Sequence, residues 1–315
     1  MSPVSKSLLA IVNPAAGGGR CGRLVKTALA RLRDAGIELE TAETSGPGDA
    51  TRLARAAYAH GQRRFLAVGG DGTAFEIVNG VFPAAWSNTA SCKDAAAPCG
   101  MRPTLGFMPL GTGNSFLRDF SDRGVEYAAE AIISGRHQAC DVVRLTHAEG
   151  EVYFINLLSM GFTADVTAAA NRRFKGLGEL GYILGVLVCL WRLDRRSFPL
   201  RMDEQTEIDR RRCLFLSFSN SKFTGGKMLI APQASTNDGL VECVRWGPIG
   251  RLGLLQNFSK LFDGTHLAHS EASRCSAHCV EFVLDAPIDV MVDGEVLTLD
   301  CRRIDVLPGA LDVMV

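Results

Sequence analysis

The chain has 315 residues, with 34 Lys and Arg against 34 Asp and Glu and 47% hydrophobic residues; that length suits two domains, and that apolar content excludes a disordered or collagen-like chain. A formal net charge of zero argues against a dedicated nucleic-acid binder, which needs a cationic face to release counterions, and leaves room only for a local basic patch. The ten cysteines are scattered through a core-forming chain and read as reduced thiols, and the short apolar run Leu8 to Val12 is too brief for a signal segment, so a cytoplasmic protein is expected.

In chain order, Leu8 to Val12 is a buried strand and Asn13-Pro14 with Gly17 to Gly19 a turn. Leu24, Val25, Ala28, Leu29 and Leu32 then recur at helical spacing until Gly36. Ile37 to Thr44 reads as a second strand, and Gly46-Pro47-Gly48-Asp49 turns into a helix with Asp49 as its N-cap and Gly61 beyond its end. Phe65 to Val68 is a third strand, running into Gly69-Gly70-Asp71-Gly72-Thr73 and a helix over Ala74 to Asn79. Phe82 to Pro103, with Cys92 and Cys99, reads as a surface insertion. Leu105 to Met108 resumes as a strand, enters Pro109-Leu110-Gly111-Thr112-Gly113-Asn114, and a helix over Val125 to Ser134 ends at Gly135. The alternation predicts an α/β domain over 1–138, a parallel sheet covered by helices.

From residue 139 the pattern turns β-rich, with strands expected at Asp141 to Thr146, Glu151 to Leu157, Cys213 to Ser219, Gly239 to Val244, Cys279 to Leu284, Ile288 to Val292 and Val296 to Cys301. This is the second domain, 139–315, whose extreme C-terminus is left free to pack back on the first. Helices interrupt it near Thr163 to Phe174, Leu177 to Leu193 and Ile249 to Phe262. The apolar stretch Leu180 to Trp191 is about a dozen residues where a membrane span needs about twenty, so no transmembrane helix is expected. Arg172, Arg173 and Lys175 precede it and Arg192, Arg195 and Arg196 follow, which suits either peripheral contact with anionic lipid or a buried helix with solvated ends.

Three strand ends of the first domain release glycine-rich loops, and in a parallel sheet such loops gather at one edge beside helix N-termini. Glycine lets backbone NH groups approach phosphate oxygens while the helix dipole favours negative charge; Asn13, Thr73, Thr112 and Asn114 add hydroxyl and amide groups. Asp71 in such a turn would repel phosphate unless a divalent cation lay between them, so it is either a metal ligand or a turn-stabilising Asp before Gly. Asp293 and Glu295 flank a glycine between apolar strands, where a hairpin tip either aims both carboxylates at a reaction or is only a turn. Gly17-x-Gly19-x-x-Gly22 matches the dinucleotide fingerprint, but the long turn before it counts against a Rossmann crossing, and no Walker A sequence is present. His266, His269, Cys275, His278 and Cys279 offer zinc-ligand types at a spacing that fits no standard finger, against a plain polar loop entering a strand.

Taken together, Asn13-Pro14-x-x-Gly17, Gly69-Gly70-Asp71-Gly72-Thr73-x-x-Glu76, Pro109-Leu110-Gly111-Thr112-Gly113-Asn114, Asn156-x-x-Ser-Met-Gly161-Phe, Gly225-Gly226-Lys227, Ala231-Pro232-x-Ala234, Asn237-Asp238-Gly239-Leu240 and Asp293-Gly294-Glu295 resemble the diacylglycerol kinase catalytic family, which includes bacterial lipid kinases and sphingosine kinases. The resemblance spans nearly the whole chain. It implies a Rossmann-like nucleotide domain of the NAD kinase and phosphofructokinase type, a sandwich-like second domain, and an active cleft between them. It further implies an ATP-dependent, Mg²⁺-dependent kinase that phosphorylates a lipid hydroxyl, of diacylglycerol or a sphingoid base, at a membrane surface, and it leaves a homodimer open.

By the same resemblance Glu295 is the proton acceptor, and Asp293 and Asp71 complete the catalytic metal network. ATP contacts fall on Asn13, Pro14 and Gly17, on Thr44, on Gly70, Asp71, Gly72, Thr73 and Glu76, and on Thr112 beside Asn114. A second, structural Mg²⁺ falls on Ser235, Asp238 and the Leu240 carbonyl. Where bacterial members often carry Asp after the Gly-Thr-x-Asn motif, this chain has Ser115, followed by Phe116 and Leu117. The alternatives are a kinase of a soluble acceptor, a non-catalytic nucleotide or lipid sensor on the same fold, and a Rossmann oxidoreductase.

Overall fold

The computed structural model describes residues 7–82, 84–87, 102–173, 189 and 194–315. The expected insertion around Cys92 and Cys99, and the helix expected over Leu177 to Leu193 with Lys175 and Arg192, lie outside the described residues except for Cys189. The chain forms two compact units, one ending at Val142 and joined by Leu307–Val315, the other Val143–Val306.

The first unit alternates β1 (Leu8–Val12), α1 (Arg20–Asp34), β2 (Leu39–Glu43), α2 (Asp49–Ala59), β3 (Arg64–Gly69), α3 (Asp71–Val81), the short α4 (Ala84–Ser87), β4 (Thr104–Pro109), α5 (Val125–Ser134) and the start of β5 (His137–His147). Its strands run parallel in the order β2-β1-β3-β4, and the chain's last residues continue the sheet, Asp312 opposite Thr104 and Val313 opposite Leu105. A sheet covered on both faces needs apolar side chains on both, which is why β1 and β3 are near-continuous apolar runs. Leu8, Ala10, Val12, Leu66 and Val68 pack in one cluster with Cys21, Val25, Leu29 and Leu32 of α1; the four helix positions fall on a single face by their spacing.

Helix α2 starts differently from expectation. Gly48, at φ +79°, is the cap and Asp49 the first helical residue; the Asp49 carboxylate instead accepts the Ser45 NH and hydroxyl, both at 2.9 Å. α2 and α3 pack so closely at Gly80 that a Cβ there would stand 2.5 Å from the Thr51 carbonyl oxygen and 2.7 Å from the Ala54 Cβ. Gly80→Ala is therefore expected to destabilise the first unit by about 1–3 kcal/mol, because backbone must move to admit the methyl; a urea midpoint unchanged from the parent would contradict this packing.

The second unit continues with β6 (Gly150–Phe154), β7 (Leu157–Gly161), α6 (Phe162–Arg173), β8 (Arg196–Ser197), β9 (Leu200–Met202), β10 (Arg212–Cys213), β11 (Phe215–Ser219), β12 (Phe223–Thr224), β13 (Met228–Leu229), β14 (Val241–Trp246), β15 (Ala272–Ala277), β16 (Cys279–Phe282), β17 (Ile288–Val292), β18 (Glu295–Leu299) and β19 (Cys301–Met314). Its main sheet is antiparallel, in the order β15-β14-β11-β7-β17-β18. β16 pairs antiparallel with β9 and with the first residues of β19, and β5 pairs with β6. Phe215, Val244 and Trp246 share a core with Phe162, Val166, Leu254 and Leu261. The last two come from short helices Arg251–Asn257 and Lys260–Asp263, where the periodicity predicts one helix. Of the basic residues around the apolar segment, Arg196 pairs with Asp165 at 2.7 Å and Arg195 donates to the Ile249 carbonyl at 3.0 Å. Among the described residues no helix is long and apolar enough to cross a membrane.

No three His, Cys, Asp or Glu side chains converge on a metal position among the described residues. His266 is instead fully buried, edge-on to Trp246, with ring nitrogens 3.1 Å from the Ile230 carbonyl and 3.3 Å from the Lys260 carbonyl. Burial outweighs those carbonyls and holds its pKa below the ordinary 6.5. An unfolded chain would take up the proton first, so His266 contributes full stability above about pH 6.5 and loses it as pH falls through the depressed folded value. His266→Gln, which keeps a donor but does not titrate, is expected to flatten the loss of thermal stability below pH 6.5; parallel pH profiles for the two proteins would contradict the assignment.

Candidate active site

In the first unit, β1, β3 and β4 are adjacent and parallel, so the loops that follow them emerge at the same edge. Backbone hydrogen bonds tie the strand ends together: the Asn13 NH donates to the Val68 carbonyl at 2.9 Å and the Gly111 NH to the Gly69 carbonyl at 2.7 Å. The approach admits only glycine, since a Cβ on Gly111 would stand 2.5 Å from the Gly70 Cα, and one on Gly17 3.0 Å from the Leu110 carbonyl oxygen. Gly17, Gly18 and Gly19 are successively left-handed, at φ +61°, +63° and +82°, a backbone that other residues adopt only with strain. Asn13 closes its own turn by accepting the Ala15 NH at 3.2 Å, with Pro14 between them.

Asp71 opens α3 immediately after Gly70. Its Oδ2 accepts the Ser115 NH at 2.8 Å and its Oδ1 the Phe116 NH at 3.4 Å, with a further bond from the Ser115 hydroxyl. Burial still holds the carboxyl above its usual range, with those donors offsetting it only in part. A bound cation would lower the cost of keeping such a carboxylate ionised. Two further oxygens of the same loops, Thr73 Oγ1 next to Gly69 and Asn114 Oδ1 next to Gly70, are buried without a hydrogen-bond partner. Asn114 sits at φ +50° and donates its Nδ2 to the Gly111 carbonyl at 3.0 Å, which fixes the amide and leaves its oxygen directed elsewhere. Gly69, Gly70, Asp71, Pro109 and Asn114 line one small pocket. These oxygens and glycine amides fit a divalent cation with phosphate groups: acidic and neutral oxygens for the metal, NH groups and a helix start for the anion.

Two expected nucleotide contacts have different surroundings. The Glu76 carboxylate accepts the Gly48 NH at 2.9 Å and the Ala50 NH at 3.0 Å, so it caps α2 from α3. Thr44 follows β2 and donates its NH to the Val12 carbonyl at 2.8 Å. Thr112 is exposed in the loop after β4, and Gly72 lies in the first turn of α3. Ser115, noted in the sequence only as a departure, turns out to be the main partner of Asp71. The two residues are 44 positions apart, and no local signal links them.

In the second unit, Asp293 and Gly294 form the two-residue tip of the β17–β18 hairpin, at φ +48° and +94° with Val292 opposite Glu295; positive φ at both central residues is the type I′ turn that Asp-Gly favours. Asp293 is only 4% exposed. Its carboxylate accepts the NH groups of Ile155 at 3.0 Å, Asn156 at 3.0 Å and Leu157 at 2.9 Å, and so fastens the tip to the chain between β6 and β7. Glu295, the first residue of β18, is exposed. Asp293 thus holds the hairpin that presents Glu295. Asp293→Asn keeps the residue tolerant of positive φ but turns one acceptor into a donor facing a buried NH; about 2–4 kcal/mol of stability should be lost, visible as a lowered urea midpoint, whereas an unchanged midpoint would remove the fastening role.

Ser235, Asp238 and Leu240 share one turn, in which the Ser235 hydroxyl donates to Asn237 Oδ1 at 2.9 Å and Asp238 Oδ1 accepts the Leu240 NH at 3.0 Å. Asp238 is exposed and brings a single carboxylate to that turn.

The diacylglycerol kinase catalytic domain family matches residues 7–145, and the YegS C-terminal, NAD kinase beta sandwich-like domain family matches residues 156–315. The chain is 29% identical to the diacylglycerol kinase of Mycobacterium tuberculosis over 309 residues, 97% of this chain and 94% of that one. It is 31% identical to the "probable lipid kinase YegS-like" protein of Chromohalobacter salexigens over 290 residues, 91% of this chain and 87% of that one. A crystal structure from Bacillus anthracis strain Sterne superposes with a TM-score of 0.74 at 22% identity, covering 98% of this chain and 97% of that one, which shows a common fold.

Proposed function

The chain belongs to the diacylglycerol kinase and YegS-like lipid kinase family, and from that premise we propose that it transfers the γ-phosphoryl group of ATP, with Mg²⁺, to a lipid hydroxyl of diacylglycerol or a sphingoid base. The observation that carries this reading is the half-buried Asp71 carboxylate, with two unpartnered oxygens, Thr73 Oγ1 and Asn114 Oδ1, on the same edge of glycine loops. Phosphoryl transfer is mainly positioning and charge compensation, and an edge of this kind supplies both.

In this proposal the amides of Gly70 to Thr73 and of the turn Asn13 to Gly17 hold the donor phosphates, with Thr112 and Asn114 closing them from the loop after β4. Asp71 would hold Mg²⁺, with Ser115 fixing the carboxylate; the cation would neutralise charge on the donor phosphates. Glu295 takes the proton of the attacking hydroxyl, and Asp293 sets its position. Ser235, Asp238 and the Leu240 carbonyl are the proposed seat of a second, structural Mg²⁺. The enzyme would meet its acceptor at a membrane surface. The test offers ATP and Mg²⁺ with micellar diacylglycerol, monoacylglycerol, sphingosine and ceramide beside soluble acceptors such as NAD, with products resolved by mass spectrometry. A phosphorylated lipid is the expected result; phosphate on a soluble acceptor alone would overturn the acceptor class, and ATP binding with no product would favour a sensor.

A further inference from the structure

Two cysteines that the phosphoryl-transfer chemistry does not use face each other in the second unit. Cys243 of β14 stands directly opposite Cys275 of β15 in the antiparallel ladder, and β15 is the end strand of that sheet's order. Directly opposed residues have Cα atoms about 4.5–5.5 Å apart, inside the roughly 4.4–6.8 Å that a disulfide spans. Cys243 is 2% exposed and Cys275 is exposed, and both are free thiols.

The surroundings make the two sulfurs unequal. A hydrogen bond from Cys243, helped by the Arg211 and Arg245 guanidinium groups and opposed by burial and Glu242, pulls the Cys275 thiol down to about 7, while its partner is raised. Both arginines are held in place by Asp209, at 2.8 Å from Arg211 and 3.0 Å from Arg245. Cys275 Sγ also lies 3.3 Å from Met202 Sδ. An accessible thiolate beside a second, protonated thiol is the arrangement of an attacking and a resolving cysteine.

We propose that Cys275 and Cys243 form a redox modification site that reacts with hydrogen peroxide and closes into a reversible cross-strand disulfide. The Cys275 thiolate attacks one peroxide oxygen; the S–O bond forms as the O–O bond breaks, and the departing hydroxide takes a proton to leave as water. Cys243 sulfur then attacks the Cys275 sulfenic sulfur; the S–S bond forms as the S–O bond breaks, and the second hydroxide leaves as water with the Cys243 proton. The balance is two thiols and one peroxide to one disulfide and two waters. Opposed Cβ atoms in a ladder sit somewhat wider than a relaxed disulfide prefers, so β15 is drawn inward and the bond reduces readily.

The test treats the full, reduced chain with a few equivalents of hydrogen peroxide at pH 7, blocks remaining thiols, digests it and locates links by fragmentation. A peptide pair joined between Cys243 and Cys275, dissolved by dithiothreitol and absent in Cys275→Ser, is expected. In Cys243→Ser, Cys275 should be trapped by dimedone as its sulfenic acid, and at pH 7 the Cys275 of the untreated protein should alkylate about fivefold faster than the half-buried Cys279. Sulfoxide at Met202 without the link, or Cys275 alkylating no faster than Cys279, would overturn the proposal.

Discussion

Glu295→Gln is expected to lower kcat by about 10²–10⁴-fold, the usual contribution of a general base, with ATP affinity and thermal stability unchanged. The substitution is nearly isosteric. Glu295 is exposed at the first position of β18, and its hairpin is held by the Asp293 carboxylate on the amides of residues 155 to 157, which the change does not touch. A drop in kcat with unaltered ATP binding separates loss of proton transfer from loss of the donor site. Turnover within a factor of a few of the parent would remove Glu295 from the chemistry and return Asp-Gly-Glu to the status of a plain turn.

Asp71→Asn is expected to act on the donor side, with a loss of about 10³-fold in activity, corresponding to the several kcal/mol that a bound cation contributes to transfer of a charged group. Here the signature differs: Mg²⁺-dependent ATP binding itself weakens. The carboxylate has two oxygens facing NH groups, of Ser115 and Phe116; an amide at this position sets its own NH₂ against one of those donors, so the substitution removes a charge and also disturbs the loop after β4. Ser115→Ala keeps the backbone donor and loses only the hydroxyl, and is expected to cost far less. Calorimetry of ATP with and without Mg²⁺ distinguishes the cases, and Mg²⁺-dependent binding that survives in Asp71→Asn would contradict the metal assignment.

The parallel sheet of the first unit was legible because its inner strands β1, β3 and β4 are short apolar runs that end in glycine-bearing loops, and a strand buried on two faces needs no partner information to be recognised. The type I′ tip at Asp293-Gly294 was legible for a similar reason, since two positive φ values demand such residues. What escaped was settled at long range. The sequence around Asp49 reads as a local cap, but the amides of the cap Gly48 and of Ala50 are taken by Glu76 from another helix, 28 and 26 residues away. Glu151 to Leu157 reads as one strand, yet it is β6 and the start of β7, divided where residues 155 to 157 turn their amides to a carboxylate more than 130 residues downstream. β19 went unread beyond Cys301 because Pro308-Gly309 interrupts a strand pattern; in the structure Gly309 takes φ +56° and donates its NH to the buried Asp141 at 2.7 Å.

For the site the division is the same. Composition places glycines, Thr73, Asn114 and Asp71 at one sheet edge, because loop chemistry is local. The Ser115 partnership of Asp71, and the three amides under Asp293, depend on tertiary contacts that no spacing announces.

The most direct measurement is transfer of radiolabel from γ-labelled ATP to micellar diacylglycerol and sphingosine in the presence of Mg²⁺, with Glu295→Gln and Asp71→Asn run alongside at matched protein folding. Expected are a labelled lipid from the parent chain, a residual signal at least about a hundredfold lower in each variant, and retained ATP binding only in Glu295→Gln. Label that appears in lipid equally with all three proteins, or in no lipid while ATP binds, would contradict the proposed lipid kinase reaction.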